Sequence, residues 1–141
     1  MEHGFSFAND TYTTIDVPGG TNAIVWALNA NGLMTVDWVD SSNIPEASTY
    51  NSSKFTTIDV PGALGSNAHG INNSGNIVFT WEDYYLNDHG ALLQDGSYYL
   101  FDDDANGSSL RADGINDTNV MTGRFLLSSN GQYAGFQGTI P

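Results

Sequence analysis

The segment from residue 102 to residue 113 carries side-chain oxygens at the spacing of a calcium-binding loop. Oxygen ligands two positions apart converge on one ion when such a loop curls around it. The spacing predicts a calcium site formed by Asp102, Asp104, Asn106, Ser108 and Asp113. An acidic solvated loop is the alternative, because the EF-hand context is missing and the twelfth position is Asp rather than the bidentate Glu. No other cofactor is expected.

The aromatic side chains suggest a second kind of site, one that binds sugars. Aromatic faces stack on sugar rings, and Asn and Asp side chains bond to sugar hydroxyl groups. Trp38 and Trp81 hold the same core-facing position in the repeats described below, so Trp26 is the best candidate for a ligand surface. The predicted ligand-binding residues are Trp26, Tyr12, Asn29 and Asn72.

The chain shows no pattern that predicts catalysis. His3 and His89 occupy equivalent positions, whereas His69 matches Trp26 and Asp113. Imidazole catalysis needs a positioned partner, and a histidine at a repeat position more often caps a strand end by hydrogen bonding. The sequence contains no nucleophile elbow, phosphate loop or His-Glu-x-x-His zinc motif. We therefore expect that the protein is not an enzyme and has no catalytic residues.

All these residues lie in a sequence that repeats itself. YTTIDVPG at residues 12–19 returns as FTTIDVPG at residues 55–62, an offset of 43 residues, and a weaker third copy follows near residues 98–102. A period of this length is typical of propellers and other arrays, in which one unit cannot bury its own apolar face. We expect a single domain, 1–141, with repeats at about 3–45, 46–88 and 89–130 and a closing strand at 131–141.

About four strands are predicted in each repeat, separated by Gly, Asn and Pro. In the first repeat they fall at residues 4–7, 12–17, 23–28 and 34–38, and residues 29–32 predict a tight hairpin turn. Asp16, like Asp59 in the next repeat, is expected to fix the turn after it by accepting backbone hydrogen bonds. Alternate residues of the last strand form an apolar core face: Met34, Val36 and Trp38, then Ile77, Phe79 and Trp81, then Met121, Gly123 and Phe125.

The composition excludes several classes of partner. The chain has 141 residues, with 16 Asp and Glu against 3 Lys and Arg, a formal charge of −13. Such a surface repels phosphate backbones and anionic membranes, so neither nucleic acid nor membrane insertion is expected. With no cysteine, disulfides and thiolate chemistry are unavailable. The first residues lack the pattern of a signal peptide, so an exported protein would contain this chain as a fragment.

The second repeat carries a family resemblance. TTIDVPG at residues 56–62 is followed by Ala-x-Gly-Ile-Asn-Asn-Ser-Gly-x-Ile-Val at residues 68–78 and by His-Gly at residues 89–90. This series closely resembles the bacterial HAF repeats, a family of probable extracellular repeats, and the match extends over nearly the whole chain. The resemblance implies a propeller-like arrangement of tandem copies, an extracellular or cell-envelope location and no established enzymatic activity. It supplies no site residues.

Two closed architectures fit three four-stranded units. A propeller of three blades is too small to close, because propellers have about 4 to 8 blades, so two chains would form one six-bladed ring. The C-terminal strand would then latch a neighbouring blade. A β-trefoil is the alternative, since it also uses three units and closes as a monomer. The family's tandem copies favour the propeller.

The repeat architecture and the lack of catalytic motifs indicate that the protein works by presenting a surface to a partner. The leading hypothesis is a non-enzymatic extracellular repeat domain that acts as a binding or assembly module and forms a homodimer. The second is a lectin-like propeller or trefoil that binds carbohydrate. The third is a hydrolase that uses Asp residues in the central channel, although a convergent group with a perturbed pKa would be needed. The expected partners are a second copy of the chain and a glycan or other surface ligand.

Overall fold

The computed structural model describes residues 1–102 and 107–139, and every regular element in those ranges is a β-strand. This part of the chain contains no helix that is long and apolar enough to cross a membrane. The strands are β1 (Gly4–Ala8), β2 (Thr11–Ile15), β3 (Thr21–Leu28), β4 (Met34–Val39), β5 (Pro45–Asn51), β6 (Lys54–Ile58), β7 (Gly65–Ile71), β8 (Ile77–Glu82), β9 (Asp88–Gln94), β10 (Ser97–Phe101), β11 (Gly107–Ile115), β12 (Met121–Leu127) and β13 (Tyr133–Gly138).

The strands form four antiparallel sheets in chain order. Two sheets have four strands each, β3-β4-β5-β6 and β7-β8-β9-β10. The first sheet has only β1 and β2, and the last has β11, β12 and β13. Strands β3, β7 and β11 begin their sheets, and β7 contacts both β3 and β11, so we call these three the inner strands of the stack. The other strands of each sheet run outward from them.

Asparagine and glycine make the hairpins between the first two strands of each sheet. At the fourth turn residue the backbone has a positive φ, which glycine adopts without strain: Gly32 at +80° and Gly75 at +86°. Asn119 takes this position in the last sheet with a φ of +59°, as asparagine tolerates. The backbone amides of Gly32 and Gly75 bond to the carbonyls of Asn29 and Asn72. The predicted hairpin turns are therefore confirmed.

The core lies between sheets, because each sheet stacks its face on the next. Phe79 and Ile77 on β8 pack toward the preceding sheet, where Ala47 and Ile58 are buried with them. Val78, on the other face of β8, packs with Leu92, Ala112 and Met121 toward the last sheet. The apolar face predicted on the fourth strand is thus core. Its opposite face is also buried, since sheets stack on both sides of β8.

The prediction of an all-β, propeller-like chain is confirmed, whereas closure of the sheets is not observed. A trefoil would form a closed barrel, and the described sheets remain separate and stacked. The sequence predicts no strand at β5, because Pro-Glu-Ala-Ser-Thr lacks apolar alternation. Proline is accommodated there as the first residue of the strand.

Asp16, which precedes the first Val-Pro-Gly turn, has a different role from the predicted one. The turn after Asp16 is closed by backbone atoms, with the Gly20 amide donating to the Val17 carbonyl at 2.9 Å. The Asp16 carboxylate instead lies 2.8 Å from His3 Nδ1. His89 and Asp102 repeat this pairing at 2.7 Å, and both pairs are separated by 13 residues. These histidines tie a strand end to the strand beside it.

Candidate functional site

A cavity of about 320 Å³ lies beside the inner strands of the two complete sheets. Trp26 from β3 and Asp37 from β4 form one side, and His69 from β7 and Arg111 from β11 form the other. These four side chains come from three successive sheets. The cavity therefore exists only when the sheets are stacked, and we call its four residues the inner-strand cluster.

Asp37 is the buried acid of the inner-strand cluster. Its carboxylate accepts one hydrogen bond from the Trp26 indole Nε1 and one from the Ala68 backbone amide, each at 2.6 Å. Burial raises the pKa of Asp37 from 3.8 to about 7, although these two hydrogen bonds and Arg111 oppose the shift. The carboxyl thus joins one sheet to the next and orients Trp26.

His69 is the buried base. Burial, reinforced by the nearby Arg111 charge, lowers the pKa of His69 from 6.5 to about 4, so the imidazole is neutral near pH 7. Its Nδ1 lies 3.5 Å from an Arg111 Nη2 donor and must accept there, which places the single ring proton on Nε2. Among the described residues, that Nε2 has no hydrogen-bond partner. The cluster therefore contains an unsatisfied polar group.

Trp26 and Arg111 form the accessible part of the cluster. The indole is 49% exposed, and its ring meets the His69 ring edge-on at a centroid distance of 5.5 Å. The Arg111 guanidinium carbon lies 5.8 Å from the Trp26 ring centroid, within the range of a cation–π interaction. Arg111 Nε donates to Asp113 at 2.8 Å. An aromatic face and a cation are thus presented together at the cavity.

The predicted ligand residues lie in three separate places. Trp26 lies in the inner-strand cluster. Tyr12 is 71% exposed on β2, where its ring contacts Phe5 and Phe7 at centroid distances of 5.5 and 4.6 Å. Asn29 and Asn72 are buried in the hairpin turns at one end of the sheets. Only Trp26 of this set lines the cavity.

Asn29 and Asn72 connect successive sheets. The Asn29 side-chain amide donates to the Asn72 carbonyl at 3.0 Å, and the Asn72 amide donates to the Asn116 carbonyl at 3.1 Å. Each side-chain oxygen also accepts two amides of its own turn; for Asn72 these belong to Ser74 and Asn76. We call this series the asparagine ladder. It occupies the side-chain groups that a ligand would need.

The predicted calcium ligands are only partly described. Asp104 and Asn106 lie outside the described residues, and so does the side chain of Ser108. Asp102 pairs with His89 and Asp113 with Arg111. Within residues 1–102 and 107–139, no three His, Asp or Glu side chains are placed to hold a metal ion. Calcium binding stays a prediction.

Three residues of the cluster were not predicted as ligand residues, although the sequence contains a signal for two of them. His69 is 43 residues beyond Trp26, so the repeat offset places it at the same position of the next inner strand. Asp37 is an acid in the middle of the apolar strand Met34–Val39, where a charge is unexpected. Arg111 shows no such signal, because its approach to Trp26 depends on how three sheets stack.

The fold and the cluster define a propeller-like all-β protein with a ligand-sized cavity at its inner strands. No family model and no curated protein matches the chain.

Solved structures of a lectin from Aleuria aurantia, a β-propeller, are similar to the chain. A mutant form in complex with alpha-methyl-L-fucoside gives a TM-score of 0.52, and the same mutant in complex with Fucalpha1-6GlcNAc gives 0.51. The fucose-specific lectin in a mercury-derivative form gives 0.54. Each is 14% identical and covers 96% of this chain. The chain spans about half the length of these lectins, 47 to 48%. At this identity the likeness shows the fold alone.

Proposed function

We propose that the protein is a non-enzymatic, lectin-like binding module that holds a glycan at the inner-strand cluster. The observation that carries the proposal is the half-exposed Trp26 ring beside Arg111 at a cavity of about 320 Å³. This volume suits one or two sugar rings, since small-molecule sites span about 300 to 1,000 Å³. The similarity to propellers that bind fucosides supports the same assignment.

The chemistry of the cluster matches a sugar. The apolar face of a sugar ring can stack on the Trp26 indole, which the bond to Asp37 holds in place. The Arg111 guanidinium presents donors that suit the oxygen atoms of hydroxyl groups. Burial of a polar ligand is favourable only where its polar groups form hydrogen bonds. The Arg111 donors beside the Trp26 ring can form such bonds with the hydroxyl groups of a sugar.

Binding is supported over catalysis by the state of Asp37. Both of its oxygens already accept hydrogen bonds, from Trp26 and from Ala68. Hydrolysis of a glycosidic bond uses two carboxyl groups that flank the bond, and the raised pKa of Asp37 meets the requirement for only one of them. Asp113, the acid beside Arg111, is paired with that arginine. The hydrolase alternative would need one of these acids to be released.

A glycan array that includes fucosylated glycans tests the proposal. The intact chain should bind a defined subset, and Trp26→Ala should abolish that binding while the variant stays folded, although it loses the bond from the indole to Asp37 and should melt at a lower temperature. Tyr84→Ala is the matched control, because Tyr84 is 80% exposed and does not line the cavity. Equal binding by Trp26→Ala and the intact chain would refute the site, and an array without signal would refute the function.

We further propose that the chain is an HAF-type repeat domain of an extracellular or envelope protein, and that it works as an assembly module. The sequence resemblance supports the family and the location. The two incomplete sheets support closure of a six-bladed ring by a second copy, because they leave strand edges without partners. Light scattering coupled to gel filtration tests this closure, since a homodimer has twice the mass of the 15.1 kDa chain.

A further inference from the structure

Two strands of the chain, β1 and β13, both correspond to the third strand of a complete sheet. In each complete sheet the third strand pairs with the second, Val36 facing Ser48 and Phe79 facing Ala91. In the last sheet β13 takes this third position, with Phe136 facing Gly123. In the first sheet β1 pairs with β2 in the same way that β5 pairs with β6 and β9 with β10. Strand β1 is therefore also a third strand, but it has no second strand beside it.

The aromatic face of the first sheet is exposed where its counterparts are covered. Phe5 is 60% exposed, although Ser48 and Ala91, the residues 43 and 86 positions later, are fully buried. Phe7 and Tyr12 on the same face are 54% and 71% exposed. A cavity of about 450 Å³ lies along β1 between Phe5 and Val25. Both observations indicate that β1 and β2 lack the two strands that would complete their sheet.

Side-chain size identifies the strand that fits beside β1. At the repeat position equivalent to Phe5, the second-strand residue is the larger of the pair in both complete sheets, Phe79 with Ala91 and Val36 with Ser48. In the last sheet the order at this position is reversed, because the Phe136 ring fills the space over Gly123; a Cβ at Gly123 would lie 2.6 Å from that ring. Phe5 is also large at the third-strand position, so its complement is the glycine of β12.

Two further features make the β1–β2 hairpin a better partner for β12 than β13 is. His89 stacks on Trp81 at a centroid distance of 4.4 Å. In β13 the equivalent residue is Ala134, which faces Phe125, whereas β1 would place His3 against Phe125 and restore the stack. The hairpin also supplies a fourth strand, whereas the last sheet has three strands among residues 1–102 and 107–139.

We propose that a second copy of the chain donates its β1–β2 hairpin to the last sheet and displaces β13, with Phe5 replacing Phe136 over Gly123. This inference rests on the proposed closure by a second copy and names the surfaces that make it. Each chain keeps its two complete sheets, and two shared sheets of order β11-β12-β1-β2 complete a six-sheet ring. In the single chain β13 pairs with β12 at the place that β1 of a second copy would take. It therefore covers the edge of β12 and limits non-specific pairing of that edge with other chains.

Paired cysteines test the register, since the natural chain has no cysteine. Within one chain Thr122 faces Gln137, and strand exchange places Ser6 of a second copy at the position of Gln137. Directly opposed residues of antiparallel strands are close enough for a disulfide. Oxidised Ser6→Cys/Thr122→Cys should give covalent dimers on a denaturing gel, and Thr122→Cys/Gln137→Cys should give an intrachain bond that reduces dimerisation. Monomers from the first variant would overturn the proposal.

Matched phenylalanine substitutions give a second test that does not depend on a disulfide. Phe136→Ser weakens only the displaced strand and should strengthen dimerisation, whereas Phe5→Ser weakens the donated strand and should weaken it. Each change is expected to be about tenfold or more in the dimer dissociation constant, because a buried phenyl group is lost from one state alone. Changes in the same direction for both variants would overturn the exchange.

The outcomes separate the inference from the proposals on which it rests. A dimer by light scattering that forms no Ser6–Thr122 cross-link would leave ring closure standing and overturn strand exchange. A monomer at all concentrations up to the millimolar range would overturn both. Glycan binding by the inner-strand cluster is read on the array and is independent of either result, because none of the substituted residues lines that cavity.

Discussion

We expect that replacing Asp37 or His69 by a side chain that does not titrate changes how the free energy of unfolding depends on pH. The two replacements should change its slope against pH in opposite directions. Asp37 has its pKa raised to about 7 by burial, so between pH 3.8 and 7 the folded state holds a proton that the unfolded state has lost. Its contribution to the free energy of unfolding therefore falls as the pH rises through this window. His69, with its pKa lowered to about 4, stays neutral in the fold below pH 6.5 while the unfolded state takes up a proton. Its contribution rises with pH.

The magnitudes follow from about 1.4 kcal/mol for each unit of pKa shift. From pH 5 to pH 8, Asp37 should remove about 2 to 3 kcal/mol of stability and His69 should add about 2 kcal/mol. Asp37→Asn should therefore gain about 2 to 3 kcal/mol between pH 5 and pH 8 relative to the intact chain, and His69→Gln should lose about 2 kcal/mol over the same range.

Urea unfolding followed by tryptophan fluorescence at pH 5, 6, 7 and 8 measures these slopes. Differences from the intact chain are used, because the constant cost of each substitution and the titration of all other groups then cancel. The range begins at pH 5, where ordinary carboxylates are ionised in both states. Difference curves that are flat, or that slope in the same direction for both variants, would refute the assignment of opposed buried groups.

The remaining predictions concern packing and metal binding. Asn72→Ala should lower the free energy of unfolding by about 2 to 4 kcal/mol, because it removes one member of the asparagine ladder and leaves buried partners without hydrogen bonds. Asn31→Ala, at an exposed turn, should lower it by less than about 1 kcal/mol. Chemical unfolding gives both values. Gly90→Ala should lower the melting temperature by at least several degrees, because its Cβ would overlap the side chains of the neighbouring strands, and Gly138→Ala, with open space around it, should not. A chelator should lower the melting temperature if the segment at residues 102–113 binds calcium, and an unchanged melting temperature would count against that site.

Local patterns in the sequence were enough to predict most of the strands and turns. Strands and turns depend on neighbours in the sequence, so apolar alternation located Met34–Val39 and Ile77–Glu82, and Asn with Gly located the hairpins. The same local rule failed at Pro45–Asn51, whose strand pairs on both sides with β4 and β6 although its first three residues, Pro, Glu and Ala, are weak strand formers. Sheet context overrides local preference there.

The sites were decided by the stacking of sheets. Trp26 was predicted to bind a ligand because it is aromatic and does not hold the core-facing repeat position, and the structure places it at a cavity. Nothing in the local sequence places Arg111 over that ring or the Ala68 amide on Asp37, because these contacts join sheets whose strands are far apart in the chain. The asparagine ladder shows the same division. The sequence determines that Asn29 and Asn72 form turns, and only the spacing of successive sheets brings the amide of one turn to the carbonyl of the next.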